Sequence, residues 1–132
     1  VRTAEEAVRA AKSLVNNALV IHPGWCDHYC AQFYGLPYSG YASASTHFLD
    51  TPSEYRHGFG EPPLGALCYW SGGNEGKGHI ALSAGNGWIV TTDFPKNGYI
   101  GEVPRQQIAE YWRVTYQGYT DAYYGDLGLV IV

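Results

Sequence analysis

Apolar residues recur at helical spacing near the start of the chain. Ala7, Ala10, Ala11, Leu14 and Val15 form one face of a predicted helix over 3–18. Thr3 followed by Glu6 reads as a capping box that opens it. Pro23-Gly24 breaks the pattern. Residues 25–34 then read as a second helix, beginning at Trp25-Cys26, with Tyr29, Cys30 and Phe33 on its buried side and with Gly35 and Pro37 to stop it. From 37 to 63 the pattern is loop-like, with a short helix predicted at 46–49, and a segment of this length is expected to cover or build a site.

Beyond it the period changes to two. Strands are predicted at 67–70, 79–83 and 88–92, the last two joined by the hairpin signal Gly85-Asn86-Gly87. A further strand is expected at 99–103, a helix over 104–112 with Pro104 in its first turn, and a strand at 114–116. The apolar tail 127–132 completes the chain. Helices first, then an antiparallel sheet, is an α+β order.

Composition narrows this picture. The 132 residues fit a single domain, 1–132, and neither a repeat nor a linker divides them. Hydrophobic residues at 45% and charged residues at 15% supply a real core. The net charge of −4 with eight scattered basic residues argues against a nucleic-acid partner. No apolar run approaches the ~18 residues of a membrane span. The chain opens on Val and has no Met, which predicts a processed or excised piece of something longer. Its three cysteines are an odd number, so at least one thiol is free or paired outside the chain.

The densest chemistry lies in HPGWCDHYCAQFYG, residues 22–35. His22, Cys26, His28 and Cys30 are all zinc-ligand types, but structural zinc sites pair ligands in two separated clusters, and helix register would turn His28 away from the cysteines. No metal and no cofactor is expected. A Cys26–Cys30 disulfide would need Cβ atoms about 3.5–4.5 Å apart, whereas i and i+4 on a helix lie ~5–6 Å apart. A redox pair would prefer Cys-x-x-Cys. A nucleophile remains: Cys26 at a helix N-terminus meets the positive end of the macrodipole and free N–H groups, which favour the thiolate and can hold an oxyanion. Cys30, inside the helix, and Cys68, inside a strand, read as core.

A thiol nucleophile needs a base, and the base an orienting group. His22, His28, His47 and His57 flank the cysteine or sit in the loop-like segment. His79 opens a strand, where a side chain is held more rigidly. There His79, Ala81 and Ser83 face one side and Ile80 and Leu82 the other, suggesting one site face and one core face. Across the hairpin, Thr91 and Asp93 share a face from which either could hydrogen-bond the His79 ring.

In this order the residues resemble the papain-like NlpC/P60 and CHAP superfamily of cysteine peptidases. WCDHYCAQFYG matches the family's nucleophile helix, PPLGALCYW at 62–70 its Pro-Gly-Asp-Leu strand, and GHIALSAGNGWIVTTD at 78–93 its histidine hairpin. The likeness spans about 20–115. It implies a papain-like fold, N-terminal helices on a central antiparallel sheet, and hydrolysis of amide bonds in bacterial peptidoglycan stem peptides. It assigns Cys26 as nucleophile, His79 as base and then acid, and Asp93 or Thr91 as orienter. The family's usual second histidine falls at Thr91, but Asp93 is preferred because a carboxylate better stabilises an imidazolium. Trp25-Cys26-Asp27-His28 replaces the family's Asp-Cys-Ser-Gly, so subfamily and scissile bond stay open. The resemblance also implies a monomer acting at the bacterial wall, outside the cell or as a phage lysin released from the host cytoplasm. One rival keeps the same triad, a transglutaminase- or deamidase-like toxin; another is a non-enzymatic, Tyr-rich wall-binding module that retains an old fold.

Overall fold

Residues 2–19, 25–36, 43–58, 60–73 and 76–121 are described by the structure, a computed structural model. His22, the Pro23-Gly24 turn, Pro37 and the tail at 127–132 lie outside the described residues.

The first helix, α1, spans Ala4–Lys12. Thr3 and Glu6 close the expected capping box: the Glu6 N–H donates to Thr3 Oγ1 at 3.2 Å, and the Thr3 N–H to Glu6 Oε1 at 2.9 Å. The helix stops well short of residue 18. Asn16 turns into the left-handed region at φ 70° and its N–H donates to Ile100 O at 2.8 Å. Asn17 forms a β-bridge with Ile100. The backbone of these residues serves the edge of the sheet, and that claim outweighs their helical pattern.

The second helix, α2, is Cys26–Phe33. It ends as the sequence predicts. Gly35, at φ 82°, donates its N–H to Gln32 O, and Leu36 donates to Ala31 O, both at 2.9 Å. This pair of bonds is a Schellman motif. Arg2 Nη1 donates to Phe33 O at 3.0 Å, bringing a cation to the negative end of the helix. The third helix, α3, is Ala44–Asp50, longer than expected because Ser43 caps the Thr46 N–H. The segment 37–63 also holds a strand that the sequence does not announce, β1 (Arg56–His57).

The other strands are β2 (Leu67–Gly72), β3 (His79–Gly85), β4 (Trp88–Thr92), β5 (Ile100–Pro104) and β6 (Val114–Thr120). Pro104 ends β5 rather than opening a helix. A 3₁₀ turn follows at Arg105–Gln107, and then α4 at Ile108–Trp112. All strand pairs are antiparallel, in the order β1-β6-β2-β3-β4-β5, so the chain is α+β.

The sheet is buried on both faces. On one, α1 and α2 pack Ala7, Ala11, Tyr29, Cys30 and Phe33 against Leu67, Tyr69, Ile80, Leu82 and Val90. On the other, Cys68, Trp70, Ala81, Ile89 and Val103 meet Ile108 of α4 and Val114. The face of Ile80 and Leu82 is a core as expected, and the face of His79, expected as the site face, carries a second core. His79 shares that second face with Trp70, its register partner.

Candidate active site

Cys26 occupies the first turn of α2, with Trp25 as the N-cap. Its thiol is buried, at 7% exposure, whereas the Trp25 ring beside it is 51% exposed. All three cysteines are free thiols, and Cys30 and Cys68 are fully enclosed in the two cores. Among the described residues, no group of three or more His, Cys, Asp or Glu side chains is placed to hold a metal ion.

The strand β3 brings His79 to this helix end. The paired residues of β3 and β4 run from Leu82↔Val90 to Gly85↔Trp88. Ahead of that ladder, the Ile80 backbone N–H is directed at the Cys26 thiol, as is the Asp27 N–H within α2. Both favour the thiolate. The sulfur thus lies against the backbone at the His79–Ile80 step, although 53 positions separate Cys26 from His79 in sequence (79 minus 26).

The His79 ring is fixed on several sides. It packs edge-on to Trp112 at 4.6 Å between centroids and lies 5.7 Å from the Trp70 ring. Its Nε2 is 2.6 Å from Thr91 Oγ1. Thr91 Oγ1 also lies 3.2 Å from Thr92 O, to which its hydroxyl can donate. A tautomer with the proton on Nε2 satisfies both Thr91 contacts and leaves the lone pair on Nδ1. Nδ1 is then the basic nitrogen.

Thr91, the alternative third residue, is therefore the one in hydrogen-bond contact with the ring. Asp93 leaves the strand, with φ at 60°. Its N–H donates to Tyr99 O at 2.7 Å, and its Oδ1 accepts from the Gly98 N–H at 2.9 Å. Asp93 still acts on the site through its field, since its negative charge opposes ionisation of Cys26. The regular strand alternation that suggested a shared Thr91–Asp93 face ends where Asp93 turns.

Burial governs the resting charges. Loss of hydration pushes the Cys26 thiol up to about 12, against the pull of the Ile80 and Asp27 N–H groups and with a further push from the Asp27 and Asp93 charges. Loss of hydration also holds the His79 imidazole down at about 3. At rest the Cys26 thiol and the His79 imidazole are both neutral. The helix terminus alone suggested a standing thiolate, but at this enclosed position desolvation is the larger effect.

The remaining histidines go elsewhere. His28 Nε2 accepts from Gln32 Nε2 at 3.1 Å, near the surface. His57 stacks on Tyr119 and lies 3.2 Å from Asp121 Oδ1. His47 is buried against Asp27, the residue after Cys26, with Nδ1 at 2.8 and 3.1 Å from its two oxygens. Nothing in the sequence pattern announces this pair, because an acidic residue in a first helical turn and a histidine in a loop-like tract both read as solvated.

No protein-family model matches the chain, and no related curated protein is found.

Proposed function

We propose that this protein is a papain-like cysteine peptidase or amidase that hydrolyses amide bonds in peptidoglycan stem peptides, acting as a monomer at the bacterial wall. The single observation that carries the reading is the contact of Thr91 Oγ1 with His79 Nε2 at 2.6 Å. With Nε2 engaged, Nδ1 is the nitrogen left to take a proton, and the neighbouring Ile80 N–H faces the Cys26 thiol. A nucleophile, a base and an orienting group in that order are what acyl transfer by a thiol requires. The peptidoglycan substrate rests on the sequence resemblance and on the exposed Trp25 beside the nucleophile, an aromatic surface suited to a glycan-bearing polymer.

The chemistry follows from neutral partners. As the Cys26 sulfur attacks the amide carbonyl, its proton passes to His79 Nδ1. The carbonyl oxygen becomes an oxyanion, held by free N–H groups of the first turn of α2, that of Cys26 included. His79 then gives the proton to the departing amine, the C–N bond breaks, and a thioester remains. Water attacks the thioester, losing a proton to His79, and the carboxylic acid leaves as the thiol is restored. Neutral imidazole is the form that can take this proton, and burial keeps His79 in that form while weakening it as a base.

Purified peptidoglycan treated with the protein should release stem-peptide fragments, each cut adding one water and exposing one new amine. Mass spectrometry of the soluble products identifies the bond. Products bearing new isopeptide bonds, or deamidation of side chains without chain cleavage, would replace hydrolysis with the transglutaminase or deamidase reading.

The orienting role can be apportioned. Thr91→Val removes the acceptor for the Nε2 proton at nearly constant volume and is expected to lower kcat/KM about 10–100-fold, the usual cost of losing a group that holds a catalytic side chain. Asp93→Asn keeps an oxygen for the Gly98 N–H and is expected to cost less. Steady-state kinetics on a released stem peptide decide this, and a larger loss in Asp93→Asn would make Asp93 the orienter.

A further inference from the structure

The mechanism leaves one buried ionisable cluster unused. Asp27 follows the nucleophile directly in α2, and His47 comes from the separate helix α3. Asp27 is 5% exposed and His47 only 1%. A carboxylate accepts and does not donate, so the His47 Nδ1–H donates to the Asp27 carboxylate, 2.8 Å from one oxygen and 3.1 Å from the other. The His47 ring stands edge-on to Tyr69 at 5.4 Å, and the Tyr69 hydroxyl pairs with Thr120 Oγ1 at 2.9 Å. The pair is thus braced from the sheet as well as from two helices.

A helix needs no such arrangement to satisfy its dipole. An acidic side chain in a first turn is favourable while still in water. Taking a carboxylate out of water beside a histidine is costly, and apolar residues of similar volume would do as well or better for stability. The cost falls at the residue next to Cys26, whose own N–H is one of the two aimed at the thiol.

We propose that the Asp27–His47 pair is a positioning device for the nucleophile: the hydrogen bond to His47 anchors the first turn of α2 and disperses the carboxylate charge one residue from the Cys26 sulfur. Asp27 and His47 are positioning residues, acting through Cys26. The inference rests on the reading of Cys26 as a nucleophile. The groups that act on the sulfur are the Ile80 N–H from β3, Asp27 in its own helix and the charge of Asp93 beyond β4. Of these, Asp27 has its charge answered by a buried donor brought from another helix.

The test is a set of single variants of the whole chain, with Cys26 alkylation by iodoacetamide followed against pH and located by peptide mass. Asp27→Asn removes the charge and keeps the shape. It is expected to raise the Cys26 alkylation rate at pH 8 about 3–10-fold, because each unit by which a thiol pKa falls gives ten times more thiolate. His47→Leu removes the donor and leaves the charge unanswered, so alkylation is expected to slow by about the same factor, with kcat falling while KM changes little. His47→Asn, whose side-chain nitrogen can replace Nδ1, should restore most of both. Opposite movement of Asp27→Asn and His47→Leu supports the device. Unchanged alkylation in Asp27→Asn, or a shift in the same direction in both variants with only thermal stability lost, overturns it. If His47→Leu does not fold, Asp27→Asn decides alone. Alkylation needs no substrate, so failure of the wall-hydrolysis reading would show separately, as an absence of peptidoglycan products from the unaltered protein.

Discussion

Replacing Cys26 with alanine is expected to abolish release of peptidoglycan fragments, lowering the rate by at least about four orders of magnitude, as loss of a nucleophile does in thiol and hydroxyl acyl-transfer enzymes. The fold should survive. The change removes one buried sulfur, a cavity worth about 1 kcal/mol at a site that neighbours can partly close. Cys26→Ser keeps the shape and an acceptor for the Ile80 N–H, yet a hydroxyl is a far weaker nucleophile for the same base. Both variants should show an intact thermal transition with no clearance of a wall suspension. Clearance that persists in Cys26→Ala would remove the thiol from the mechanism. Retained wall binding with no hydrolysis by the unaltered protein would favour the non-catalytic module.

The second large effect is on stability in acid. His79 binds a proton near 6.5 when the chain is unfolded, but burial beside Trp70 and Trp112 lowers this to about 3 in the fold. Between those values the unfolded chain holds the proton and the folded chain does not. The stability associated with neutral His79 is therefore complete above pH 6.5 and is lost as pH falls through the window towards 3. Allowing for partial solvent access to the ring, the loss amounts to about 2–4 kcal/mol. Urea unfolding at steps from pH 7 to pH 4 should show it, and His79→Asn should flatten that dependence. Equal slopes in the two proteins would mean that His79 titrates normally in the fold. The same lowered value keeps the imidazole neutral at mildly acid pH, so with His79 as the proposed base the acid limb of kcat/KM is expected well below 6.5.

Local chemistry made much of the frame legible. The Thr3–Glu6 capping box opens α1, and Gly35 closes α2 through its left-handed backbone. Gly85-Asn86-Gly87 joins β3 to β4. Each is a contact between near neighbours, set by side-chain type and backbone freedom alone. So is the place of Cys26 in the first turn of α2.

Long-range contacts decided the rest. The 3–18 pattern is a good helix in isolation, but Asn16 and Asn17 give their backbones to Ile100 at the sheet edge. Pro104 can begin a helix, yet it also fits the end of a strand paired with Trp88. The partner of His79 was open between Thr91 and Asp93 because strand alternation offers both. The turn at Asp93 sends its carboxylate to Gly98 and leaves Thr91 beside the ring.

The sequence by itself determined the start of α1, the end of α2, the hairpin and the presence of a cysteine in the first turn of a helix, since these depend on interactions within a few residues. Only the tertiary structure decided that Thr91 is the group beside His79 Nε2, that burial keeps the Cys26 thiol neutral, and that Asp27 is answered by His47. Those are matters of burial and of partners far apart in the chain, and the free energy of a charge depends on what surrounds it in space.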